Sequence, residues 1–229
     1  MSADEIIKHI PEIATAAKGV AALGAAIPFT AVVKRMLGPA ADELAEMWRD
    51  QVRLYRYERQ LKCVEKAERM AKDAGFTPQA VPPKILFPLL EGASLEENES
   101  LHDMWAALLA NASSAQLRER VRPAYISILK QMSPDEAVML NWMHSHVEYK
   151  WPFDDKDRPK FTFTELTKGY QQLGFRAPFM SLQGCLDCLE AAQLTRVQGK
   201  RTTVRTALYE LTYRGHSLIQ VCQPPTPKS

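Results

Sequence analysis

Along the middle of the chain the apolar residues Leu101, Met104, Trp105, Leu108, Leu109 and Ala112 follow one another at spacings of three and four. That period predicts an α-helix with one broad buried stripe. Just upstream, Ser94 and Glu97 read as a capping box after Gly92. Glu96, Glu97 and Glu99 crowd what would be the first turns, where the helix dipole favours negative charge. The expected helix therefore runs from Ser94 to Ser113. Before it, Ala40 to Gly75 reads as one long helix with Gly75 as its C-cap. On that helix Met47, Leu54 and Leu61 form one heptad row and Tyr57, Val64 and Ala71 a second, broken at Asp50, so a coiled-coil-like seam is expected. The intervening "TPQAVPPKILFPLLEG" holds four prolines. It predicts a packed connector with one or two short helical turns.

A further helix is expected near Pro123, with Tyr125, Ile126, Leu129 and Met132 on its apolar face. Another starts at "SPDE", where Ser133 caps, Pro134 takes the first helical position and Glu136 closes the box. The polar, proline-interrupted stretch from His146 to Phe161 is the best hinge candidate. Beyond it "FTFTELTKGYQQLG" suggests a short strand and a helix, and "PFMSLQGCLDCLEAAQL" a second helix with Leu182, Cys185, Leu186 and Leu189 inward. "TRVQGKRTTVRTALYELT" reads as two strands joined at Gly199-Lys200, and "YRGHSLIQVC" as a closing turn or short helix.

Together these elements predict a mainly α protein. An N-terminal helical bundle with one long helix precedes a C-terminal winged helix-turn-helix-like α+β domain. The expected divisions are an apolar N-terminal helical segment over 1–38, a helical core over 39–133, the winged-helix-like domain over 134–222 and a disordered tail over 223–229.

Composition narrows the function classes. At 229 residues and 46% hydrophobic the chain can bury a real core, and 29 Lys and Arg nearly balance 27 Asp and Glu. The whole-chain field therefore gives no steering toward nucleic acid or an anionic membrane. Four scattered cysteines (Cys63, Cys185, Cys188, Cys222) in a chain without a secretory signal pattern read as reduced thiols of a cytoplasmic protein. The apolar "GVAALGAAIPFTAVV", Gly19 to Val33, is shorter than the roughly 20 residues needed to span a bilayer and is interrupted by Pro28. It reads first as buried helix, and otherwise as a segment making peripheral contact with a membrane.

Candidate chemistry is sparse. Glu99-x-x-His102 matches half of a bundle-type di-iron motif, but the chain holds no second Glu-x-x-His, so an ion pair near a helix start is the simpler reading. Cys185-x-x-Cys188 lacks a second thiol or imidazole pair at a standard spacing and falls within an expected helix, so buried thiols are the default. His144 and His146, two apart on a helix, point to different faces. The expected wing carries Arg196, Lys200, Arg201 and Arg205, candidate nucleic-acid contacts, whereas Phe179 to Leu194 contains no Lys or Arg and presents Asp187 and Glu190 instead. Phosphate-binding glycine loops, nucleophile elbows and His-Glu-x-x-His are absent from the sequence. The chain reads as a non-enzyme, with no catalytic or metal-binding residues, no cofactor and no small-molecule substrate.

Three stretches, "KRMLGPAADELAEMWRDQVRLYRYERQLKCVEKA", "PPKILFPLLEGASLEENESLHDMWAALLANA" and "VRPAYISILKQMSPDEAVML", resemble successive blocks of the abortive infection alpha family of bacterial proteins. The likeness covers roughly residues 34 to 142, and the capped, Trp-centred helix with Leu101, Met104, Trp105, Leu108 and Leu109 is its most specific block. The resemblance implies antiphage defence and supplies no reaction. Two readings follow. One is a helical interaction module or effector, with a protein partner or self-association and membrane contact of residues 19–33. The other is a winged-helix DNA-binding regulator or sensor acting through the wing.

Overall fold

The computed structural model describes residues 54–146, 159–175, 179–198 and 207–226. The apolar Gly19–Val33 segment, Met47, Asp50, Lys200, Arg201 and Arg205 lie outside them. The described chain is mainly helical, with a small three-stranded antiparallel sheet toward its C-terminus. It divides into two units, the first running to Ile126 and taking back Cys222 onward, the second being Ser127–Val221.

In the first unit α1 (Leu54–Asp73), α2 (Pro83–Leu95) and α3 (Glu99–Ser113) pack on one another. Gly75, at φ +76°, ends the α1 region in the left-handed conformation that glycine adopts without cost, as expected. Contacts between α1 and α2 run in opposite senses along the two helices, Arg56 to Ser94 and Gln60 to Leu90, so these are antiparallel. Those between α1 and α3 advance together, so these two are parallel. The buried residues of α1 are Arg59, Gln60, Cys63, Val64, Ala67 and Ala71, with Leu61 and Tyr57 only half-buried. The expected heptad seam is thus rotated. Small residues make up much of that face, and Ala106, Ala107 and Ala110 of α3 are buried as well.

Two local expectations are corrected here. The proline-rich connector is a continuous thirteen-residue helix, α2, with prolines before and at its start, where their missing N–H groups have no intrahelical partner to lose, and Pro88 inside it. Ser94 is not an N-cap. It lies in the last turn of α2 and donates its hydroxyl to Glu91 O at 2.7 Å, while the cap of α3 is Asn98, whose side chain accepts from Leu101 N at 3.1 Å. Gly92, expected just before the Ser94 capping box, sits within α2 and mid-contact. A β-carbon there would stand 2.5 Å from the Trp105 ring, so the glycine exists to admit the indole. From Met104 to Ser113 every residue of α3 is buried, so the expected stripe is a wholly interior helix.

In the second unit α5 (Pro134–Ser145), which follows α4 (Pro123–Leu129), starts as expected, with Ser133 N donating to Glu136 Oε2 at 2.9 Å. After it come β1 (Lys160–Thr162), α6 (Phe163–Gln172), α7 (Phe179–Ala191), β2 (Thr195–Gln198), β3 (Leu208–Leu211) and α8 (Tyr213–Val221). Both sides of the expected hinge, whose residues 147–158 lie outside the described residues, belong to this unit. The sheet order is β1-β3-β2, with Lys160, Glu210 and Arg196 in one cross-strand row. Leu182, Cys185, Leu186 and Leu189 are buried, as their spacing predicts. Gln223, expected in a disordered tail, accepts a 3.0 Å hydrogen bond from Asn111 Nδ2 through its carbonyl.

Candidate functional site

Because α1 and α3 are parallel, a stripe on each meets its complement. Arg59, Lys62 and Lys66 are spaced three and four apart on α1. Glu99, His102 and Asp103 are spaced three and one apart on α3. Glu99 stands in the first turn of α3, where the helix dipole already favours a carboxylate. Arg59 Nη1 donates to its Oε1 at 2.6 Å, Lys62 Nζ to Oε1 at 2.9 Å and Lys66 Nζ to Oε2 at 3.0 Å. Arg59 also caps the end of α2 through the Glu96 carbonyl. Hydrogen bonds from Arg59, then Lys62 and Lys66, hold the Glu99 carboxyl well below the usual carboxylate range.

His102 is buried beneath this charge. Its Nε2 lies 3.0 Å from Arg59 O. A carbonyl can only accept, so Nε2 carries the proton and Nδ1 presents a lone pair, which takes a hydrogen bond from Lys66 Nζ at 3.3 Å. Burial is the main reason that the imidazole's pKa falls to about 4, so the ring is neutral near pH 7. Lys66 Nζ completes its set with Asp103 Oδ1 at 2.5 Å.

Glu99, His102 and Asp103 offer ligand atoms within 4.8 Å of one another, a donor set that could hold a metal ion. Here the ammonium of Lys66, only 11% exposed, contacts all three. It supplies the cation on which the donors converge, and Arg59 and Lys62 bring the local count to three cations against two carboxylates. What the cluster does physically is clamp α1 to the start of α3.

The other sequence candidates fall elsewhere. Leu101, Met104, Trp105, Leu108 and Leu109 are interior to the first unit and build its core. Arg196 reaches Glu210 with its Nε at 2.5 Å and through Nη2 as well, while Gln198 Nε2 donates to the other carboxylate oxygen at 2.9 Å. Glu210 is 0% exposed. Lys200, Arg201 and Arg205 lie outside the described residues. His144 stacks on His216 with ring centroids 4.8 Å apart, and His146 stacks on Trp142, so the two histidines do point to different partners. Burial pushes the thiols of Cys63 and Cys222 up to about 12 and raises Cys185 too. Cys188, expected to be buried, is exposed, and its thiol is raised chiefly by a hydrogen bond to Glu136.

Lys66 and Arg59 are functional residues that the sequence analysis did not single out. The available signal was the complementarity of two charged helical stripes, but nothing local says that α1 and α3 run side by side.

A profile of the family described as abortive infection alpha matches residues 53–221, well over half of the chain. The chain belongs to the abortive infection alpha family. The match extends past the three resembling blocks through the sheet-bearing second unit, so both units are part of what defines a member. Membership ties the chain to abortive infection, the response to phage for which the family is described. Comparison with curated proteins and with solved structures gave no match. Among the described residues, no helix is long and apolar enough to cross a membrane.

Proposed function

We propose that this abortive infection alpha protein acts in bacterial antiphage defence without catalysis of its own, as a helical module or effector that works by binding a protein partner or a second copy of itself. The observation that carries this reading is the Lys66 cluster. Its acids, its imidazole and its ammonium, the groups best suited to chemistry in the first unit, are turned on one another and hold two helices together. The buried thiols point the same way, since a protonated, desolvated sulfur is a poor nucleophile. On this reading the protein is cytoplasmic and needs neither cofactor nor small-molecule substrate, and the apolar Gly19–Val33 segment supplies any membrane contact.

A second reading, a winged-helix DNA-binding regulator or sensor, has one observation in its favour. Helix, strand, two helices and a hairpin follow in order, with β3 central in the sheet. Against it, Arg196 is held by a buried carboxylate and α7 carries no Lys or Arg.

The test is phage plating on cells carrying the intact chain, a version lacking Met1 to Leu37, or a Lys200→Ala/Arg201→Ala/Arg205→Ala variant. Culture survival is followed at low and high phage dose. Protection at low dose with collapse at high dose, kept by the triple variant, supports the effector reading. Protection lost in the triple variant favours the wing. Survival no better than without the gene sinks the defence role.

A further inference from the structure

One polar side chain inside the first unit reaches a segment from the other end of the chain. Asn111 is 3% exposed and stands between Ala110 and Ala112 on the interior helix α3. An asparagine costs helix propensity against its alanine neighbours, and its buried amide needs hydrogen-bond partners. Its Nδ2 donates to the Gln223 carbonyl at 3.0 Å, across 112 positions of sequence. Residues from Cys222 onward belong to the first unit, although α8, which ends at Val221, belongs to the second. Within residues 222–226, Cys222 and Pro225 are buried, whereas Gln223, Pro224 and Thr226 are exposed. The buried positions are three apart, the repeat of an extended polyproline II turn. Pro224 and Pro225 have no N–H to offer, so such a strap is held by its carbonyls and its rings, and their fixed φ lowers the entropy lost when it docks.

We propose that the seat at Asn111 is an interaction site for an extended, proline-bearing segment, and that residues 222–226 of a second copy occupy it when two copies exchange straps. The inference rests on the reading of the protein as a binding module and names what the module binds. The occupant follows from the structure, because the sequence that fits the seat already lies in it and every copy carries both halves. Exchange keeps the strap's contacts and changes only which copy supplies it. Its cost is association entropy and movement at the junction of α8 with the strap, which is the usual economy of domain swapping. A copy's own strap competes with the incoming one, so the apparent affinity between copies is lowered by the fraction of seats that stand open. Weakening a strap in one copy therefore strengthens that copy as a receiver.

The test mixes two full-length variants with complementary defects. Pro225→Asp places a charge where the strap is buried, so its strap is ejected and its seat stands open. Asn111→Ala removes the amide of the seat and leaves the strap intact. One chain carries a fluorescent label at its N-terminus, and anisotropy and light scattering follow association under reducing conditions. The expected result is a one-to-one complex of the two variants at least tenfold tighter than either variant forms with itself. Circular dichroism reports whether each is folded. Where Asn111→Ala is not, Asn111→Leu, close in shape and without the amide, takes its place, and Pro225→Gly stands in for Pro225→Asp in the same way. Folded variants that associate no better mixed than alone overturn the proposal, as does a complex that forms equally well when both chains carry Pro225→Asp. Either negative result concerns the strap alone, since phage plating of the intact chain tests the defence role separately.

Discussion

The two units handle charge in opposite ways. In the first, the carboxylates stay in water, Glu99 and Asp103 being 55% and 56% exposed, while the neutral imidazole and the Arg59 and Lys66 side chains that reach them lie inside or nearly so. In the second a carboxylate itself is interior, Glu210, with Arg196 and Gln198 among its partners. Exposed ion pairs stabilise weakly because water solvates the charges nearly as well. A buried charge that loses its partner has no such alternative. The number of salt bridges is therefore a poor guide to which unit depends on them.

The largest expected effect tests the buried end of that contrast. Arg196→Ala should destabilise the second unit by about 3 kcal/mol in chemical denaturation, because the buried Glu210 loses its guanidinium partner. The double change Arg196→Leu/Glu210→Met should recover most of the loss. If Arg196→Ala costs no more than a surface pair, Glu210 is better solvated than its burial implies. Next comes packing. Gly92→Ala forces a β-carbon against the Trp105 ring and should cost about 2 kcal/mol, whereas Gly184→Ala on α7, with nothing within 4 Å of the new methyl, should stabilise by about 0.5–1 kcal/mol. Melting curves of the pair decide it.

The charge cluster of the first unit sets the pH response. The folded pKa of His102, about 4, lies below its ordinary value of 6.5, so the unfolded chain takes up the proton first. Stability is then full above pH 6.5 and falls as pH drops toward 4, and His102→Gln should flatten that slope. Glu99, also depressed, adds its own loss only below its ordinary carboxyl range of about 4.5. Denaturation midpoints at intervals from pH 7 to pH 4, compared between wild type and variant, give the measurement. An unchanged slope would remove His102 as its source. The smallest effect is at the rim. Lys62→Ala removes a 2.9 Å contact from a side chain 46% exposed and should change stability by at most about 0.5 kcal/mol. A larger loss would show that the cluster acts as a network.

Much of the second unit was legible before any coordinates. "SPDE" caps α5 as written, and the Leu182, Cys185, Leu186, Leu189 face turned inward, because caps and amphipathic faces are decided within four residues of chain. The first unit was read less well. Ser94 with Glu97 imitated a capping box one turn too early, while Asn98 made the cap. The role of Gly92 went unread, because nothing nearby announces the indole it must admit.

By itself the sequence determined where most helices begin, which faces are apolar, that a short sheet follows the helices, and the family blocks. Only the tertiary structure decided which charges meet. Lys66 lies 33 to 37 residues from the three groups it holds and Arg59 40 from Glu99, distances over which helical periodicity carries no information about direction. Arg196 and Glu210 become neighbours only through the register of β2 on β3. A side chain's charge is written in its residue type, but whether that charge ends at a surface, against a neutral ring or buried among its partners depends on the packing of elements far apart in the chain.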